Sequence, residues 1–93
     1  MPIPQNNATS VTQGTGLMWR PSLRTKEYAV FISNDKEEVS IAQKDSPSYK
    51  GTQATNKFKH SHCEPTSTYY WRIDSIQHDG STVKGKVWKY STK

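Results

Sequence analysis

Thr68-Tyr69-Tyr70-Trp71-Arg72-Ile73-Asp74-Ser75-Ile76-Gln77, then Asp79-Gly80, then Val83-Lys84-Gly85-Lys86-Val87-Trp88-Lys89-Tyr90-Ser91-Thr92 is the stretch that decides the fold. Both flanks are rich in β-branched and aromatic residues, which fit a pleated surface better than a helix. An Asp-Gly pair between two such runs is a hairpin-turn signal. A two-residue turn there sets Tyr69 opposite Tyr90 and Trp71 opposite Trp88, so four aromatic rings share one face. The same register brings Lys86 to that inner face opposite Ile73. Either its ammonium leaves at the sheet end or Gly85 marks a bulge.

Working outward, Tyr28-Ala29-Val30-Phe31-Ile32 alternates, with Tyr28, Val30 and Ile32 on one face, and Leu17-Met18-Trp19 is a shorter strand ahead of Pro21. Asn34 with Glu37 three residues on reads as the cap of one short helical turn, with Val39 and Ala42 on its inner side. Short strands are expected around Tyr49 and through Phe58. Residues 1–14 are polar and Pro-containing and read as a linker or weak edge strand, leaving 15–93 as the domain.

The composition agrees. The chain has 93 residues with 31% hydrophobic content, three Trp, five Tyr and two Phe, and a mean hydropathy of −0.93. The core must therefore be aromatic, with Trp19, Tyr69, Trp71, Trp88 and Tyr90 as its expected members, each ring burying roughly 150–250 Å². So small a chain leaves no room for a second domain. No run approaches the roughly 20 apolar residues of a membrane span, and Met1 to Gly16 has neither the basic start nor the apolar stretch of a signal peptide. One Cys makes no internal disulfide.

The net charge is +5, and the excess is C-terminal. Lys84, Lys86, Lys89 and Lys93 follow one another with no acid between them, which suits either an anionic polymer or an edge strand guarded by lysines.

At Cys63-Glu64-Pro65-Thr66-Ser67-Thr68-Tyr69 the chain resembles the L-x-P-x-x-x-Y corner of fibronectin type III domains, with Cys63 in the Leu place. The likeness extends to a subgroup of these domains in secreted bacterial proteins, often appended to polysaccharide-degrading enzymes. It is carried by Tyr28-Ala29-Val30-Phe31-Ile32-Ser33, by Thr68 to Ile76, by Asp79-Gly80, and by Gly85-Lys86-Val87-Trp88-Lys89-Tyr90-Ser91-Thr92. The resemblance implies an all-β, seven-stranded antiparallel fibronectin type III or immunoglobulin-like sandwich, in which the corner Tyr hydroxyl bonds back to the upstream backbone. It also implies a non-catalytic accessory module of an extracellular or cell-surface multidomain protein, carbohydrate-active or adhesive, serving as spacer or polysaccharide-binding module. The alternative is a self-associating structural subunit of an extracellular assembly, with Phe31 and Tyr70 as anchors.

The residues offer little chemistry of other kinds. His60-Ser61-His62-Cys63 holds metal-ligand types, but on a strand only His60 and His62 share a face, short of the three or four ligands zinc takes. No metal and no cofactor is expected. Glu37, Glu38 and Asp79 have local structural reasons, and no strand pairs two carboxylates as glycoside hydrolysis requires. No enzyme is expected. Nucleic-acid binding is disfavoured because the core claims most aromatics and no phosphate loop appears.

A binding face remains. If Tyr69, Trp71 and Ile73 point inward, then Phe31, Tyr70, Arg72, Asp74, Val87 and Lys89 point outward as one aromatic and basic patch. Such a patch suits a polysaccharide, anionic rather than neutral, or a neighbouring domain, on a module that is monomeric in isolation. The competing reading is that Arg72 lies over an aromatic ring and the patch serves stability alone.

Overall fold

The two longest strands form on the run Thr68–Gln77 and on the stretch through Tyr28-Ala29-Val30-Phe31-Ile32. The computed structural model describes residues 3–12, 16–59 and 64–93. In chain order its elements are β1 (Ala8–Val11), β2 (Leu17–Met18), β3 (Thr25–Ser33), α1 (Lys36–Ile41), β4 (Tyr49–Gln53), β5 (Lys57–Phe58), β6 (Thr68–Gln77), β7 (Thr82–Val83) and β8 (Val87–Thr92). One sheet of six strands runs β1-β8-β6-β3-β4 with β7 also on β6, and β2 pairs with β5 in a separate sheet. The protein is thus mostly β with one short helix.

Two details correct the sequence reading. The large sheet is mixed, not wholly antiparallel, because β1 runs parallel to β8 along its outer edge. Asn7 N–H donates to Lys89 O at 2.8 Å and Lys93 N–H to Val11 O at 3.1 Å, which ties the N-terminal lead-in to the last strand. The strands among the described residues number eight rather than seven, because the C-terminal run breaks into β7 and β8 at Lys84-Gly85-Lys86.

That break has a register cause. Gly80 N–H donates to Gln77 O at 3.0 Å and Gln77 N–H to Ser81 O at 2.8 Å, and Gly80 sits at φ 91. The turn is therefore a three-residue loop with its left-handed position filled by glycine, not a two-residue one. It shifts the near end of the hairpin by one residue, to Ser75↔Val83 and Ile76↔Thr82. The far end pairs Tyr69↔Tyr90 and Trp71↔Trp88. Lys84, Gly85 and Lys86 take up the difference as a bulge opposite Ile73 and Asp74. Only glycine fits its centre, since a Cβ at Gly85 would stand 2.0 Å from Ile73 O. Lys86 is released to solvent.

One face of the large sheet packs against β2 and β5 over a core of Leu17, Trp19, Tyr28, Val30, Ile32, Tyr69, Trp71, Ile73 and Tyr90, with Phe58 and Trp88 half-buried at its rim. Trp71 and Trp88 pack at a tilt with centroids 4.8 Å apart, Tyr69 and Tyr90 at 5.6 Å. Tyr69 Oη accepts from Glu64 N–H at 2.6 Å. Thr92 Oγ1 fastens the same corner, accepting from Ser67 N–H at 2.9 Å and donating to Glu64 O at 2.6 Å.

The opposite face is not bare. Helix α1 lies on it, burying Val39 and Ala42 against Ala29 and Phe31. Asp35 rather than Asn34 caps the helix, accepting from Glu37 N–H at 3.0 Å and Glu38 N–H at 3.3 Å. Asn34 instead donates from Nδ2 to Thr68 O at 3.3 Å.

Candidate ligand-binding face

The outward residues of β3, β6 and β8 fall into two groups according to whether α1 covers them. Phe31 and Arg72 are each 2% exposed and Asp74 is 8% exposed. The expected six-residue surface patch is corrected to this extent: these three lie beneath the helix and are closed to a ligand. Phe31 is equally closed to a second copy of the chain, so it anchors no interface.

Their chemistry explains why they are buried there. Arg72 binds Asp74 in bidentate fashion, Nε to Oδ1 at 2.8 Å and Nη2 to Oδ2 at 2.9 Å. Its remaining donors reach Val39 O at 2.7 Å, Ser40 O at 3.3 Å and Ala42 O at 2.7 Å. These carbonyls lie at the C-terminal end of α1, where Val39 O also accepts from Ala42 N–H at 3.3 Å and the last turn holds no basic residue of its own. The guanidinium also stands 4.2 Å over the Phe31 ring. Asp74 Oδ1 further accepts from Gly85 N–H at 3.0 Å, which ties the bulge to the same network.

Tyr70 and Val87 are half-buried at the edge of the helix-covered cluster of Ala29, Phe31, Val39 and Ala42, and Lys89 is exposed. All three line a groove of about 220 Å³ with Lys36, from the start of α1, and with Asn6 and Asn7. Asn6 is held in place because its Oδ1 accepts from Lys89 N–H at 3.1 Å. The groove thus has a half-buried phenol ring, two ammonium groups and the two asparagines, and no carboxylate among its lining residues. A second depression, about 310 Å³, opens on the same sheet face past the other end of α1, where Ile41, Ile76, Lys44 and Lys84 surround the covered Arg72–Asp74 pair. Lys84 reaches this face because of the bulge. Without the extra residue, the alternation of the hairpin would send Lys84 to the side of Trp88.

A third depression of about 310 Å³ lies between α1, the start of β4 and the tyrosine corner, with Glu38, Ser48, Lys50 and Glu64 in its wall. Ser48 Oγ and Glu38 Oε2 are buried there without a hydrogen-bond partner. Its residues come from separate segments with no motif among them, so the sequence carried no signal for it. Lys36, Asn6 and Asn7 were missed for the same reason. They join Tyr70 only through the parallel docking of β1 and the direction of α1.

Trp19, Tyr69, Trp71 and Tyr90 are buried in the core on the other side of the sheet, while Trp88, half-buried beside them, also lines the groove. The cluster His60-Ser61-His62-Cys63 lies outside the described residues. Among the described residues, no group of three or more His, Cys, Asp or Glu is placed to hold a metal ion. Nor is any described helix long and apolar enough to cross a membrane. Comparison with protein-family models, with characterised proteins and with solved structures finds no match to this chain.

Proposed function

We propose that the chain is a fibronectin type III-like module of an extracellular multidomain protein, and that it binds an anionic polysaccharide without catalysis. The module reading draws support from the Tyr69–Glu64 corner, and from the strand order β1-β8-β6-β3-β4 facing β2-β5. The binding reading rests on one observation. Tyr70, Lys36 and Lys89 converge on a groove whose lining residues include no carboxylate. An aromatic side chain offers a sugar ring an apolar surface, and two free ammonium groups favour uronate or sulfate substituents over a neutral chain.

Titration calorimetry against polygalacturonate and against a neutral glucan tests the proposal. Binding to polygalacturonate weakens from low to physiological salt, because exposed charges are screened beyond about 8 Å at physiological ionic strength. Tyr70→Ala abolishes the binding, whereas Lys89→Ala weakens it and flattens its salt dependence. Absence of heat with either polymer, or unchanged affinity in both variants, overturns the reading.

A further inference from the structure

Four lysines lie in two pairs, one pair near each end of α1. Lys36 and Lys89 line the groove at one end, Lys44 and Lys84 the depression at the other. Among the described residues none of the four forms an ion pair, since the chain's salt bridge there is Arg72–Asp74. The one carboxylate lining either depression, Asp74, is taken up by Arg72 and by Gly85 N–H. Tyr70 belongs to the first depression and Ile76 to the second, and both sit on the same face of β6. Their separation of six residues corresponds to roughly 20 Å of strand.

We propose that these two lysine pairs grip a single linear polyanionic polysaccharide, laid along β8 and β7 beside α1, so that the protein recognises chain length as well as charge. The inference rests on the proposed function and deepens it. Charge complementarity selects the occupant: each depression holds two lysines, and the one carboxylate among their lining residues is already paired with Arg72. The bulge is the device that makes the track, because it turns Lys84 onto the face that Lys89 already occupies.

Oligogalacturonates of graded length test the length dependence by calorimetry at low salt. A chain long enough to reach both depressions binds on the order of 100-fold tighter than the disaccharide, the low end of what joining two contacts yields. The double variant Lys44→Gln/Lys84→Gln reduces the long chain to the affinity of the short one and leaves disaccharide binding unchanged. All four side chains are at the surface, and circular dichroism verifies that the variant is folded. A long chain that binds no tighter than the disaccharide overturns the track, as does a long chain indifferent to the double variant. The groove proposal survives either outcome. Lack of binding by every length overturns both, and equal affinity for single-stranded DNA of matched charge overturns the assignment to polysaccharide.

Discussion

Arg72 and Asp74, two residues apart on the outer face of β6, are joined through Nε–Oδ1 at 2.8 Å and Nη2–Oδ2 at 2.9 Å beneath α1. The pair links β6, the helix and the β7–β8 bulge. Arg72 holds the C-terminal carbonyls of the helix, and Asp74 holds the amide of the β7–β8 bulge. A buried ion pair is weak evidence of net stability, yet removing one partner strands the other's charge in a low-dielectric site. Asp74→Ala is therefore expected to cost about 3–5 kcal/mol in urea unfolding. Arg72→Lys also destabilises, because an ammonium cannot match the fork geometry that serves a carboxylate and three carbonyls at once.

The aromatic core separates packing from hydrogen bonding. Trp71 is 0% exposed, and Trp71→Ala is expected to cost about 3–5 kcal/mol. Tyr69→Phe keeps the ring and loses the hydroxyl that accepts from Glu64 N–H, so its cost is smaller, about 1 kcal/mol. Equal losses in the two variants would contradict this division between core and corner.

Gly85 is required by approach distance rather than by backbone angle. A methyl group there meets the Ile73 carbonyl oxygen at 2.0 Å, which only a shift of the ladder can relieve. Gly85→Ala is expected to lower stability by about 1–3 kcal/mol, the usual cost of overpacking. Gly80→Ala also destabilises, but through φ 91, with nothing within 4 Å of the added carbon. Amide exchange at Lys84 and Lys86 distinguishes the two, accelerating in Gly85→Ala alone.

Much of the hairpin was legible, though partly through compensating irregularities. A two-residue turn correctly sets Trp71 against Trp88, yet the real loop is one residue longer and the bulge at Gly85 restores the count. Alternation separated Tyr28, Val30 and Ile32 from Phe31 without ambiguity. It could not tell whether the Phe31 side faced water or another layer, because Val39 and Ala42 form too short an apolar stripe to announce a helix that covers a sheet. The fate of Arg72 illustrates the gap: the long-range carbonyls it serves leave no local pattern. Tyr70 and Lys89 were accessible to sequence reasoning because they sit on strands of known register, whereas Lys36 and Asn6 reach the groove by tertiary docking.

The hairpin tip carries a pH dependence. Asp79 is held below the ordinary aspartate range by hydrogen bonds from Ser81, first from its hydroxyl at 2.6 Å and then from its amide at 2.9 Å. A carboxyl depressed in the folded state contributes stability that is present above its unfolded value of about 3.9 and is lost as pH falls through the folded value. Ser81→Ala removes the larger cause, so the Asp79 titration moves upward in carbon-detected NMR. An unmoved titration would assign the depression to some other neighbour.

Amide chemical-shift mapping during titration with polygalacturonate reads the bound face residue by residue and decides whether the groove and the second depression take the polymer. Shifts are expected at Lys36, Lys44, Tyr70, Lys84, Val87 and Lys89, around a helix whose buried partners Phe31, Arg72 and Asp74 respond less. Shifts confined to β2 and β5, or a spectrum unchanged at saturating polymer, would contradict polysaccharide binding at this face.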